Sequence, residues 1–173
     1  MVMEVVLVDL DNNVLGVEEK IVAHKKRLLH RAFSLYIYNG KKILLQQRAF
    51  DKYHSGGKWA NACCSHPVLN MEIEDCIMLR AREELGVVIS KPTKLFDFIY
   101  YSEYEEGFDE YEFDEVFIVE YDGDVKFDTK EVNDVRWITV DELKNELICD
   151  PSKFSTWFLI SVPRVIGYLE NKI

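Results

Sequence analysis

The chain has 173 residues, 48% hydrophobic and 30% charged, which suits one globular domain over residues 1–173 and excludes a disordered or fibrous polypeptide. Its 21 Lys and Arg against 31 Asp and Glu leave a formal charge of −10, which argues against nucleic acid or a membrane surface as partner. An anionic small molecule is not excluded, because a few cations or a metal invert the field inside one cleft.

The chain opens with two short apolar runs, Val5–Leu10 and Val14–Val17, flanking Asp11-Asn12-Asn13, a strand–turn–strand signal. The start, Met1-Val2-Met3-Glu4, lacks a basic segment followed by an apolar stretch, so no secretory signal is visible. Phe33–Tyr38 and Ile43–Leu45 are separated by Asn39-Gly40, a strong hairpin signal. A polar loop spans Phe50 to Lys58, and His54 within it reads as a loop residue.

From Glu72 to Leu85 the period changes. Ile73, Ile77, Ala81 and Leu85 share a helical face, acidic residues fill the first turn, and Gly86 supplies the stop. Lys94–Tyr101, Val116–Tyr121 and Val135–Ile138 read as strands. Thr139-Val140-Asp141-Glu142 is a capping box opening a short helix, and Asp150-Pro151 is expected to start a longer apolar one, bent near Pro163. The fold class is α+β (mixed α/β). No apolar run approaches the roughly 18–20 residues of a membrane span. Cys63, Cys64, Cys76 and Cys149 make no disulfide framework, so reduced thiols in a cytoplasmic protein are expected.

Three constellations carry chemistry. Asn61-Ala62-Cys63-Cys64-Ser65-His66-Pro67 sets a thiol two residues from an imidazole. In Glu110-Tyr111-Glu112, leading into a strand, alternation points both carboxylates the same way. His24 and His30 precede the Phe33 strand. Three imidazoles and two carboxylates are a ligand set for one divalent cation. Taken singly, each has a plainer reading: a surface histidine, a solvated acidic edge in the stretch Tyr104–Glu115, a zinc-binding Cys/His cluster.

Together, these motifs and His30-Arg31-Ala32-Phe33 resemble the type I isopentenyl-diphosphate isomerases of the Nudix superfamily, from about Leu7 to Trp157. The resemblance implies a Nudix-like central mixed sheet flanked by helices. It implies His24, His30, His66, Glu110 and Glu112 as ligands of Mn2+, Mg2+ or Zn2+, and Glu84 as holding a second Mg2+ on the diphosphate substrate. Cys64 and Glu112 become the catalytic pair, with Glu112 protonating and Cys64 deprotonating, and Tyr100 stands beside the glutamate. Arg48, Lys52 and Arg80 match diphosphate-binding cations, with Lys20 a fourth, and Trp157 an aromatic cover for the hydrocarbon. Trp157 also shares helical spacing with Phe154 and Phe158, the pattern of a core stripe.

The hydrolase box of that superfamily reads Gly-x5-Glu-x7-Arg-Glu-apolar-x-Glu-Glu-x-Gly. Aligned on Gly86, this chain has Ser65 and Met71 for its first glycine and glutamate, Leu79-Arg80 for Arg-Glu, and keeps Glu83-Glu84. An arginine where a metal-binding carboxylate belongs suits holding a diphosphate rather than cleaving it. A Nudix hydrolase and a non-enzymatic zinc protein are the rival readings.

Overall fold

The computed structural model describes residues 3–52, 54–104 and 107–172; Met1-Val2, Tyr53 of the polar loop, Glu105-Glu106 of the acidic stretch, and Ile173 lie outside them. Strands β1 (Glu4–Val8) and β2 (Val14–Glu19) form an antiparallel hairpin. The Asp9 carboxylate closes its turn by accepting from the backbone N–H groups of Asp11 and Asn13, both at 2.9 Å. A helix α1 (Lys20–Lys25) follows, too short to show a period in the sequence. Then come β3 (His30–Asn39), β4 (Lys42–Arg48), β5 (Trp59–Ala60), β6 (Cys63–Ser65), α2 (Ile73–Leu85), β7 (Thr93–Ser102), β8 (Glu110–Glu120), β9 (Val132–Thr139), α3 (Val140–Cys149) and α4 (Thr156–Lys172).

β3 is the spine of the sheet. One edge pairs in parallel with β8 along nearly its whole length, and the other is shared by β1, β6 and β4 in turn. β7 extends the sheet beyond β8, and β9 beyond β4. Alternation divides β3 between two cores. Phe33, Leu35 and Ile37 pack with Ile77, Ala81 and Leu85 of α2. Tyr36 and Tyr38 face the opposite side, with Leu143 of α3 and Phe158, Val162 and Val165 of α4. Each fully buried Leu, Ile or Phe contributes roughly 1.5–3 kcal/mol, so a strand feeding two cores fixes the sheet.

Helix ends follow the sequence signals. Gly86 ends α2 at φ 65°, and a Cβ there would lie 2.5 Å from the Lys126 carbonyl, so only glycine fits. The capping box of α3 is formed, with Glu142 N–H donating to Thr139 Oγ1 at 3.2 Å and Thr139 N–H to Glu142 Oε2 at 3.0 Å. The last helix departs from expectation. Pro151–Lys153 is a single 3-10 turn, and the chain then runs extended so that Phe154 bridges to Trp59 and enters the core. α4 therefore starts only at Thr156, and Pro163 lies within it.

Candidate active site

The α4 side of β3, β6 and β8 opens at one end into a cavity of about 570 Å3. Cys64, Tyr100, Glu110, Glu112, His66 and Trp157 line it, as do Lys20, Arg48, Lys52, Arg80 and Glu84. The candidate catalytic, binding and metal-ligand residues of the sequence are all at this site: those named, plus His24 and His30 packed against His66 and Glu112.

The parallel register sets His30, the first residue of β3, opposite Glu112 of β8. His66 follows the end of β6, and His24 comes from α1. One ligand atom from each of His24, His30, His66 and Glu112 falls within 4.8 Å of the others. His30 Nδ1–H donates to the Leu28 carbonyl at 2.8 Å, which leaves Nε2 buried without a hydrogen bond, 3.5 Å from Glu112 Oε1. A buried polar atom so placed calls for a partner. His66 Nε2 lies 3.0 Å from the same oxygen. Burial lowers the pKa of His24 to about 2 and of His66 to about 4, so both are neutral near pH 7, the form that ligates metal. This group can hold a divalent cation.

Glu110 and Glu112 share a face of β8 and are drawn apart in acidity. Burial, and then the Glu112 charge, pushes Glu110 up to about 7. Burial pushes Glu112 up as well, but the imidazoles of His30 and His66 outweigh it and hold that carboxyl well below its ordinary range. The Tyr100 hydroxyl bridges the two, 2.7 Å from Glu112 Oε2 and 3.0 Å from Glu110 Oε2. Tyr104 also donates to Glu110 Oε2, at 3.1 Å. Glu110 thus stands outside the four-residue cluster, its Oε2 engaged by two tyrosines. Asp114, next on the same face, accepts from Ser34 at 2.8 Å, and burial raises its pKa well above the usual carboxylate range.

Strand alternation separates the two adjacent cysteines. Cys63 pairs with Leu35 and enters the α2 core, whereas Cys64, opposite Ser34, turns to the cavity. Arg48 Nη1 points at Cys64 Sγ from 3.8 Å and its guanidinium lies 5.2 Å over the Trp157 ring. Burial raises the Cys64 thiol to about 12 against the pull of Arg48, so it keeps its proton at neutral pH. Trp157 is both core and cavity wall, its Nε1–H donating to Asn61 Oδ1 at 3.0 Å.

At the rim, the cations are already paired. Arg80 reaches Glu84 at 2.5 Å and Glu83 at 2.8 Å, and Lys52 reaches Glu131 at 2.6 Å. Burial raises the Glu84 pKa despite Arg80 beside it. Lys20 opens α1 at the same cavity.

Sequence reasoning missed Tyr104, Glu131 and His54. His54 is not a mere loop residue: it is 2% exposed, and its Nε2 lies 2.9 Å from His24 Nδ1. The available signal was the glycine pair after it. A Cβ on Gly56 would meet the Phe50 carbonyl oxygen at 2.7 Å, so the loop is tightly folded.

The NUDIX domain model matches residues 28–158. The isopentenyl-diphosphate Delta-isomerase 2 of Aromatoleum aromaticum is 39% identical, covering 95% of this chain and 87% of that one. An isopentenyl-diphosphate Delta-isomerase of Aliivibrio fischeri is 39% identical, with 96% and 97% covered. Among solved structures, a Deinococcus radiodurans protein superposes at a TM-score of 0.75 with 17% identity, covering 94% of this chain and 98% of its own. A MutT protein of Methanosarcina mazei does so at 0.64 with 16% identity, covering 83% and 94%. These two show the fold alone. No described helix is long and apolar enough to cross a membrane.

Proposed function

The chain belongs to the NUDIX domain family and, within it, to the isopentenyl-diphosphate Delta-isomerases, and from that premise we propose how its cavity works. The enzyme interconverts isopentenyl and dimethylallyl diphosphate, one Nudix-like isomerase domain spanning residues 1–173. The observation that carries this reading is the joint presence of the Cys64 thiol and the Glu112 carboxylate in one cavity, on strands that both pair with β3.

Moving an unactivated double bond needs a proton added at one carbon and removed at another, through a carbocation-like state and away from water. Cys64 and Glu112 supply the two transfers and exchange roles with direction. At rest burial keeps the Cys64 thiol protonated and the imidazoles hold Glu112 ionised, so a proton must move onto Glu112 and off Cys64 before Glu112 donates and Cys64 accepts. Tyr100 touches both glutamates and lets Glu110, which titrates near neutrality, exchange a proton with Glu112. The indole of Trp157 faces the hydrocarbon, where cation–π attraction is worth roughly 0.5–2 kcal/mol.

His24, His30, His66 and Glu112, joined by Glu110 once it turns from its tyrosines, would hold Mn2+, Mg2+ or Zn2+. Such an ion polarises the carboxylate it binds. Arg48, Lys52, Arg80 and Lys20 clamp the diphosphate, and Glu84 would hold Mg2+ on it. Hydrolysis is disfavoured because Arg80 stands where the hydrolase box places a metal-binding carboxylate.

The test is incubation with isopentenyl diphosphate and Mg2+ or Mn2+, assayed for acid-labile allylic product. Folded, metal-loaded protein that forms none, or that releases phosphate instead, overturns the reading.

A further inference from the structure

We infer that His54 is a positioning residue for the metal centre: its ring accepts the Nδ1–H of His24 and fixes the tautomer in which His24 Nε2 is free of its own proton. This rests on the metal-centre reading above. The two ring planes are inclined by only 15° with centroids 5.0 Å apart. At that separation, nitrogens approach to 2.9 Å only edge to edge, along the direction of an N–H···N hydrogen bond. One nitrogen must donate and the other accept. If His54 donated, His24 would carry its proton on Nε2 and offer no lone pair there. If His54 accepts, Nε2 is the lone-pair nitrogen. His30 is set the same way, through the Leu28 carbonyl, so His54 does for His24 what a backbone carbonyl does for His30.

His54 is itself held rigidly. Its backbone carbonyl accepts from Arg48 Nε at 3.1 Å, and its ring packs on Tyr104 with centroids 4.5 Å apart. Arg48 is placed in the diphosphate clamp and Tyr104 bonds Glu110, so the loop ties the metal side of the cavity to the other two.

Two measurements test this. In the metal-free wild type, 15N–1H correlation of the ring nitrogens should show His24 as the Nδ1–H tautomer, and as a mixture in His54→Leu. Mn2+ titration should show His54→Leu binding about 10–100-fold more weakly, with His54→Gln, which restores an acceptor, recovering most of the loss. A wild-type His24 protonated on Nε2 overturns the inference, as does a His54→Leu protein with wild-type Mn2+ affinity. His24→Leu is the control: if it too binds Mn2+ like wild type, the metal-centre reading has failed, and the inference falls with it.

Discussion

At the inner end of the cavity, three imidazoles and a carboxylate converge, and burial keeps His24 and His66 neutral. At the rim, by contrast, Arg80 and Lys52 already face Glu84 and Glu131, and the side chains of all but Glu84 are about a quarter to a third exposed. The inner end is largely preorganised, His30 being held by the Leu28 carbonyl and Glu112 by Tyr100, so that Glu110 alone has to turn. The rim must exchange partners, giving up internal ion pairs for the diphosphate. The partly exposed Lys52–Glu131 pair is worth about 0–1 kcal/mol, so its exchange is cheap. A buried ligand set cannot be rearranged at such low cost. Rigidity is therefore spent where the chemistry occurs, and adaptability where the substrate enters.

The sharpest test of this contrast is at the reacting groups. Cys64→Ala and Glu112→Gln should each lower turnover by about 10²–10⁴-fold, the usual loss for a general acid or base. Only Glu112→Gln should also weaken Mn2+ binding, because Cys64 stands outside the ligand cluster. Equal Mn2+ affinity in the two variants would break the division.

Next in size is Arg80→Glu, which restores the carboxylate of the hydrolase box. Losing a charge-assisted contact of about 1.5–3 kcal/mol should raise KM for isopentenyl diphosphate roughly ten- to a hundredfold, with Mn2+ affinity at the inner site retained. A fall in Mn2+ affinity would show the two ends to be one unit.

The third concerns pH. Glu110 has its pKa raised to about 7 from an ordinary 4.5, so its burial costs nothing below pH 4.5 and costs progressively more as pH rises through 7. Glu110→Gln should therefore gain on the wild type in thermal stability between pH 5 and pH 8, by up to a few kcal/mol. A melting-temperature difference that is constant with pH, or shrinks as pH rises, would contradict the buried charge. The smallest effect is expected at the rim, where Glu131→Gln releases Lys52 and should lower KM by no more than about fivefold.

Much of this was legible in the sequence. The Asn39-Gly40 hairpin, the α2 face and its Gly86 stop, and the α3 capping box depend on neighbours in the chain, and the structure has them as expected. β6 was not visible, because three residues carry no period. β8 starts at Glu110 rather than Val116, because its first residues line the cavity and are charged for that reason, which hides the strand pattern. The roles implied for Cys64 and Trp157 came with the resemblance. Contacts such as His24 with His54, 30 residues apart, or Lys52 with Glu131, 79 apart, depend on the finished fold and leave no local mark.

The parallel register of β3 and β8 has a consequence for which changes in chain length the enzyme can survive. His30 lies opposite Glu112, and Ala32, Ser34 and Tyr36 step alongside Asp114, Val116 and Ile118. Inserting or deleting one residue within either strand would turn every later side chain over, taking Glu112 and Asp114 out of the cavity and turning Phe117 and Val119 from the α2 core toward α4. Length variation among relatives should therefore collect in the turns, such as Asp9–Asn13 and the segment between β8 and β9, and be absent between His30 and Tyr38 and between Glu110 and Glu120.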